Sequence, residues 1–173
     1  TGLDVKKDQI IEIAVIVTDG SLDTVIQGPN LAINALKHTQ FNGLVVYQDA
    51  FLEWAHATSQ EFHHDAQIGE AEVMLFLKKT CSLAPKSCPL AGNSIHTDRC
   101  FLSKDLPKVE AFLHYRCVDV SSIKEMVHRW MPKCFNPPPK KLRHRAMDDI
   151  IESIDELKHY KTKIFDPALD GLD

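Results

Sequence analysis

The densest grouping of residues able to do chemistry lies near the C-terminus, in the segment HRAMDDIIESIDELKHY, where His144 precedes Asp148 and Asp149. Met147, Ile150, Ile151, Ile154, Leu157 and Lys158 recur at helical spacing and predict a helix over 145–161 with this set as its core stripe. Asp149 then lies beside the stripe, and its helical neighbours Ala146 and Ser153 are small enough to let something approach the carboxylate. Asp148 is expected to point further out. His144, at or before the helix start, reaches toward the same cleft. A group that takes a proton and a group that holds a hard cation are what metal-assisted hydrolysis of a phosphodiester needs. The plainer reading of the same residues is a surface histidine followed by two aspartates that favour a helix N-terminus.

A second constellation is GNSIHTD, residues 92–98, which follows the apolar run CPLA. That run predicts a short strand over 88–92 ending on glycine, so Ser94 and Asp98 lie just beyond the C-terminal end of a strand, where open α/β sheets bind ligands. Read alone, Thr97 or Asp98 is equally a helix cap.

Several elements must position these groups. The run QIIEIAVIVT, residues 9–18, has Glu12 as its only charge and predicts a strand buried on both faces, with a turn at Asp19-Gly20-Ser21 and an antiparallel partner over 24–33. Residues 35–67 are expected to be mostly helix. A helix follows over 69–81, then, after the 88–92 strand, two short helices over 97–104 and 107–114, the second opening on Pro107. Arg116 to Val120 reads as another buried strand, after which Ser121 caps a helix that Pro132 ends after Trp130. A hairpin followed by strands alternating with helices makes an α/β domain with a mixed sheet.

Composition narrows the partners. A chain of 173 residues, 44% hydrophobic and 25% charged, suits one globular domain. The net charge of −4 argues against a long electrostatic groove for duplex or extended single strands, and the basic run Lys140 to Arg145 alone reads as a solvated loop. Cys81, Cys88, Cys100, Cys117 and Cys134 are odd in number and form no C-x-x-C pair, which fits a reducing compartment better than a disulfide framework or zinc knuckle. No run approaches the ~18 apolar residues of a membrane span, and Thr1-Gly2-Leu3-Asp4 does not read as a signal peptide.

The segments CPLAGNSIHTDRCFL, LHYRCVDVSSIKE and HRAMDDIIESIDELKHY, with TGLD and DQIIEIAVIVTD at the start, resemble oligoribonuclease from Thr1 to about Phe165, the middle excepted, and are most similar to its eukaryotic members. The resemblance implies a ribonuclease H-like (DnaQ-like exonuclease) fold, a mixed sheet flanked by helices. It also implies the chemistry of the DEDDh exonucleases, in which four acidic residues and a histidine assemble two divalent cations, Mg²⁺ or Mn²⁺. On that likeness Asp98 is the third carboxylate, Asp149 the fourth, and His144 the general base. Leu3 matches the leucine that wedges against a base. Ser94, Tyr115 and Arg116 match a cap that closes on the substrate's end and limits it to very short RNA, drawing on both subunits of a homodimer. The implied setting is intracellular, cytoplasmic or mitochondrial.

Two departures qualify the likeness. The family's first two carboxylates form an Asp-x-Glu on the strand before Thr-Gly-Leu, and this sequence starts at Thr1, so an exonuclease domain over 1–165 without its first strand is expected, followed by a frayed acidic tail over 166–173. Such a chain should be nearly inactive and should expose hydrogen-bonding edges beside Ile10 to Val17. Asp4 and Asp8 lie on the wrong side of the turn to replace the missing pair. In the middle, Trp54, Ser59, His63 and His64 lack the family's spacing, which leaves the second base wedge unassigned. Two other functions stay open: a dimeric short-nucleotide-binding module without catalysis, and a DEDDh exonuclease acting on DNA or longer RNA.

Overall fold

The structure, a computed structural model, describes residues 3–33, 66–133, 136–139 and 145–166. The helix expected over 35–67 therefore lies outside the described residues except for its last two positions, which are helical.

Strands β1 (Glu12–Thr18) and β2 (Val25–Ala32) form the antiparallel hairpin that the β-branched run and its turn residues predict. Asp19 builds the turn: its carboxylate accepts hydrogen bonds from the backbone N–H groups of Asp23 (2.9 Å) and Thr24 (3.2 Å), and Leu22 takes a positive φ of 67°. Helix α1 (Ala66–Leu75) continues as a wider π-type turn over Phe76–Thr80. Strand β3 (Pro89–Gly92) leads into α2 (Ile95–Asp105) and α3 (Pro107–Phe112), and the chain returns as β4 (His114–Asp119), which pairs with β3 in parallel. Helices α4 (Val120–Trp130) and α5 (Ala146–Tyr160) follow, α5 running on as a π-type turn over Lys161–Phe165.

The main core joins the hairpin to α1 and α3 through Ile13, Ile33, Val73, Phe76, Val109 and Phe112. A second, smaller cluster of Val120, Val127, Tyr160 and Ile164 packs α4 against α5. Strand directions are mixed, as expected, but among the described residues the four strands make two separate pairs, β1–β2 and β3–β4. Helix α5 packs on both β1 and β3.

Three expectations about burial are corrected. Strand β1 is only half-buried apart from Ile13, because it has a single hydrogen-bonded neighbour among the described residues. Strand β4, expected to be buried, exposes Tyr115, Arg116, Cys117 and Val118, because β3 and α2, its main described neighbours, cover only part of it. The apolar stripe of α5 is half-covered at best, with Ile151 exposed; the buried positions are Ser153, Glu156 and Tyr160, whose polar atoms all find partners.

Candidate active site

The turn after β3 is shaped by backbone geometry. Gly92 has φ of +155°, and a Cβ there would lie 3.0 Å from Ile95 Cδ1. Ser94 follows in the left-handed region (φ 52°, ψ 37°), and α2 begins at Ile95. Neither Thr97 nor Asp98 is therefore the cap residue; Asp98 sits within the first turn of α2, close to the strand's C-terminal end. The Ser94 N–H donates to Asp119 Oδ1 (3.1 Å) and to Ser121 Oγ (3.0 Å), and the Ser94 and Ser121 hydroxyls are 3.3 Å apart. Asp119, not Ser121, caps α4, accepting the Ser121 N–H at 2.9 Å. Ser121 is thereby released to the site, a role that sequence reasoning missed because serine is so good a cap.

Asp98 remains open to solvent at its edge while neighbouring atoms crowd out part of its hydration. This loss of hydration, with the like charge of Asp119 adding to it and His96 opposing it, holds the Asp98 carboxyl above the ordinary range.

Asp149 lies on the same face of α5 as Ser153, Glu156 and Tyr160, one turn nearer the N-terminus, where that face opens to solvent. Asp148, expected to point further out, is the more covered of the two. The carbonyl of Asp149 accepts a hydrogen bond from Ser153 Oγ at 2.7 Å. Beside this helix start stands Glu12 of β1, whose carboxylate accepts the Ala146 N–H and lies 3.8 Å from Arg145 Nε. Burial, reinforced by the charges of Asp149 and Asp148, pushes the Glu12 carboxyl up. Sequence reasoning left Glu12 without a role, although a lone charge in a β-branched run was the signal that marked it.

Tyr115 is 72% exposed on β4, stacked against His114 at 4.5 Å, with the Arg116 guanidinium 5.5 Å from its ring. Arg99, next to Asp98 on α2, donates to the carbonyls of Tyr115 (2.8 Å) and Arg116 (3.4 Å) and pairs with Glu110 at 3.0 Å, so it fastens the Tyr115-Arg116 backbone to the helix that carries Asp98. Leu3 is 83% exposed. Its segment is tied to the far end of α2, where Lys104 Nζ donates to the Asp8 carbonyl (2.6 Å) and the Ile10 N–H to Asp105 (3.4 Å). His144, and Trp54, Ser59, His63 and His64, lie outside the described residues.

A profile of the exonuclease family (RNase_T) matches residues 1–157. The chain is 42% identical over 177 residues to a probable oligoribonuclease of Caenorhabditis elegans, covering 95% of this chain and 84% of that one. It is 41% identical over 180 residues to the mitochondrial oligoribonuclease of Homo sapiens (98% and 72% covered) and 43% identical over 174 residues to the oligoribonuclease of Hydrogenovibrio crunogenus (96% and 90% covered). The chain belongs to the oligoribonuclease family of exonucleases.

Hydrolytic 3′–5′ exoribonuclease activity goes with that membership, and exonucleases of this kind generally use divalent metal ions. Asp98 and Asp149 offer this oligoribonuclease-family chain the hard oxygen donors that Mg²⁺ and Mn²⁺ prefer. Among the described residues, however, no group of three or more His, Cys, Asp or Glu side chains is close enough to hold a metal, so these two carboxylates fit such an ion only alongside further donors.

Proposed function

We propose that the chain degrades RNA of two to a few nucleotides from the 3′ end to mononucleotides, with Asp98 and Asp149 holding divalent cations and His144 acting as general base. The observation that carries this reading is the junction of the two constellations. Asn93 links the Ser94 turn of β3 to α5 beneath Asp149, and Arg99 links Asp98's helix to Tyr115 and Arg116.

The chemistry divides among the chain's own groups. Arg116 supplies a planar pair of donors for a terminal phosphate, and exposed Tyr115 supplies a ring beside it. The Ser94 and Ser121 hydroxyls at the strand end offer further donors to the same phosphate. Leu3 is free to wedge against a base. His144, as general base, takes a proton from the attacking water. Two divalent ions, Mg²⁺ or Mn²⁺, would supply charge neutralisation at the scissile phosphate. A clamp of this kind on the end of the substrate favours a very short chain over a long strand.

The reading places two more carboxylates, as Asp-x-Glu, on a strand between β1 and β3. It also places a homodimer partner against the exposed side chains of β4 and α4, where Tyr115, Met126, Trp130 and Met131 stand in solvent. The proposed setting is intracellular; no helix among the described residues is long and apolar enough to cross a membrane.

The test is hydrolysis of a labelled RNA dinucleotide in Mg²⁺ or Mn²⁺, by this chain and by a version extended upstream with an apolar Asp-x-Glu strand. Cleavage by the extended protein, lost on Asp149→Ala or His144→Ala, supports the reading. An extended, folded protein that binds the dinucleotide and never cleaves it makes the chain a nucleotide-binding module instead.

A further inference from the structure

A single line of hydrogen bonds crosses the molecule from the Ser94 turn to the helix of Asp149. It begins at Ser94, whose N–H donates to Ser121 Oγ at 3.0 Å. Ser121 donates its hydroxyl proton to Asn93 Oδ1 (3.0 Å), and Asn93 Nδ2 donates to Ser153 Oγ (2.8 Å). Ser153 passes its proton on to the Asp149 carbonyl at 2.7 Å. Every donor in this line points the same way, from α2's start toward α5, so each bond polarises the next. The second Asn93 amide proton reaches buried Glu156 Oε2 at 3.4 Å, while Glu156 Oε1 accepts from Tyr160 OH (3.0 Å) and Lys124 Nζ (3.3 Å).

Asn93 is the one side chain in this line that uses both a carbonyl oxygen and an amide nitrogen. A hydroxyl has only one proton to give and a carboxylate none, so neither could donate to both Ser153 and Glu156 while accepting from Ser121. Both ends of the line are backbone: the amide of Ser94 and the carbonyl of Asp149. Asn93 thus bridges the Ser94 turn and α5, two segments far apart in the chain.

We infer that Asn93 is a positioning residue, which sets the separation of the Ser94–Asp98 turn from the first turns of α5 and so the separation of the carboxylates that project from them. The inference rests on the proposed roles of Asp98 and Asp149 for its consequence, but not for its mechanical part. Outer-sphere groups that hold metal-binding side chains in place are typically worth about 10–100-fold in metal affinity, whereas a group needed only for folding lowers the melting midpoint without a selective effect on the metal.

Asn93→Ala, Ser153→Ala and the double variant decide it, since Ser153→Ala is a small change in a helix and keeps the protein folded. The first readout is amide hydrogen exchange without metal. Each single variant is expected to speed exchange both in residues 92–98 and in 146–153, and the double variant is expected to add little to Asn93→Ala, because both cut one line. Exchange that changes only around the substituted residue overturns the inference. The second readout is Mn²⁺ binding followed by electron paramagnetic resonance on the chain extended by the Asp-x-Glu strand, where about a tenfold loss is expected in both single variants and wild-type affinity in Ser153→Thr. Unaltered Mn²⁺ affinity in variants whose melting midpoints fall also overturns it. Failure of the wild-type extended protein to bind Mn²⁺ counts against the proposed function alone, and hydrogen exchange by itself then decides whether Asn93 sets the spacing.

Discussion

Glu12 shows how the site's electrostatics reach the stability of the fold. Its carboxyl is enclosed between β1 and the start of α5 and faces the charges of Asp149 and Asp148, so its pKa is raised above the ordinary 4.5, burial being the largest cause. The folded protein therefore keeps a proton on Glu12 at pH values where the unfolded chain has lost it. By linkage, Glu12's own contribution to stability is fully present below 4.5 and is lost as pH rises from there through its higher folded value. Glu12→Gln removes this contribution while still accepting the Ala146 N–H. Urea midpoints measured in EDTA between pH 4 and 7 should decline for the wild type relative to Glu12→Gln; parallel curves would show that the raised pKa is wrong. Residues such as Ser94 and Asp98 were legible in sequence because an apolar run, a glycine and a polar turn mark a strand end. Ser121 was not, because its partner lies 27 residues away and local capping statistics point elsewhere.

At the scale of elements, α5 carries the most instructive difference between pattern and packing. Its apolar stripe is plain in the sequence, and the helix spans nearly the expected residues, Ala146–Tyr160. Its buried face is nonetheless the polar series Ser153, Glu156, Tyr160, spaced three and four apart, with Asp149 at its open end. Periodicity identifies that series as one face but cannot say that it is buried, since burial depends on Asn93 and Lys124 arriving from other elements to satisfy Glu156. The same dependence ranks two substitutions. Tyr160→Phe deletes one hydrogen bond to a carboxylate that keeps Lys124 beside it, at a cost of about 1–2 kcal/mol. Lys124→Met removes the cation that pairs with the fully buried Glu156 carboxylate and should cost more, about 2–4 kcal/mol after allowance for the partial exposure of Lys124. Thermal or urea unfolding of the two variants checks the order, and equal losses would mean that Glu156 is held mainly by its neutral donors. Strand β4 departs from its pattern for the complementary reason: a run with Cys117 and Val118 looks buried, but β3 and α2, its main described neighbours, leave both exposed.

For the whole molecule, the decisive feature is that β1 and β3 lie under the same helix yet share no ladder. Each has one hydrogen-bonded neighbour among the described residues, and α5's apolar stripe above them is only half-covered. Backbone donors and acceptors along a half-buried strand edge are costly to leave unpaired, and an incompletely covered stripe forfeits transfer free energy that a further apolar strand would recover. A strand inserted between β1 and β3 would join the two pairs into one mixed sheet beneath α5. If that strand carries Asp-x-Glu, it adds carboxylates beneath the helix of Asp149, where the proposed cation holders Asp98 and Asp149 call for further donors. The extension should therefore raise stability and activity together: the ladder hydrogen bonds and buried apolar side chains of an added strand oppose the entropy of ordering it, and a higher melting midpoint is the expected outcome. Replacing the added Asp and Glu by Asn and Gln should keep the thermal gain and abolish dinucleotide cleavage. A thermal gain that vanishes with the carboxylates would mean that charge, not sheet completion, stabilises the extended chain. An extension that leaves the midpoint where it was would show that β1 and β3 do not receive a strand between them.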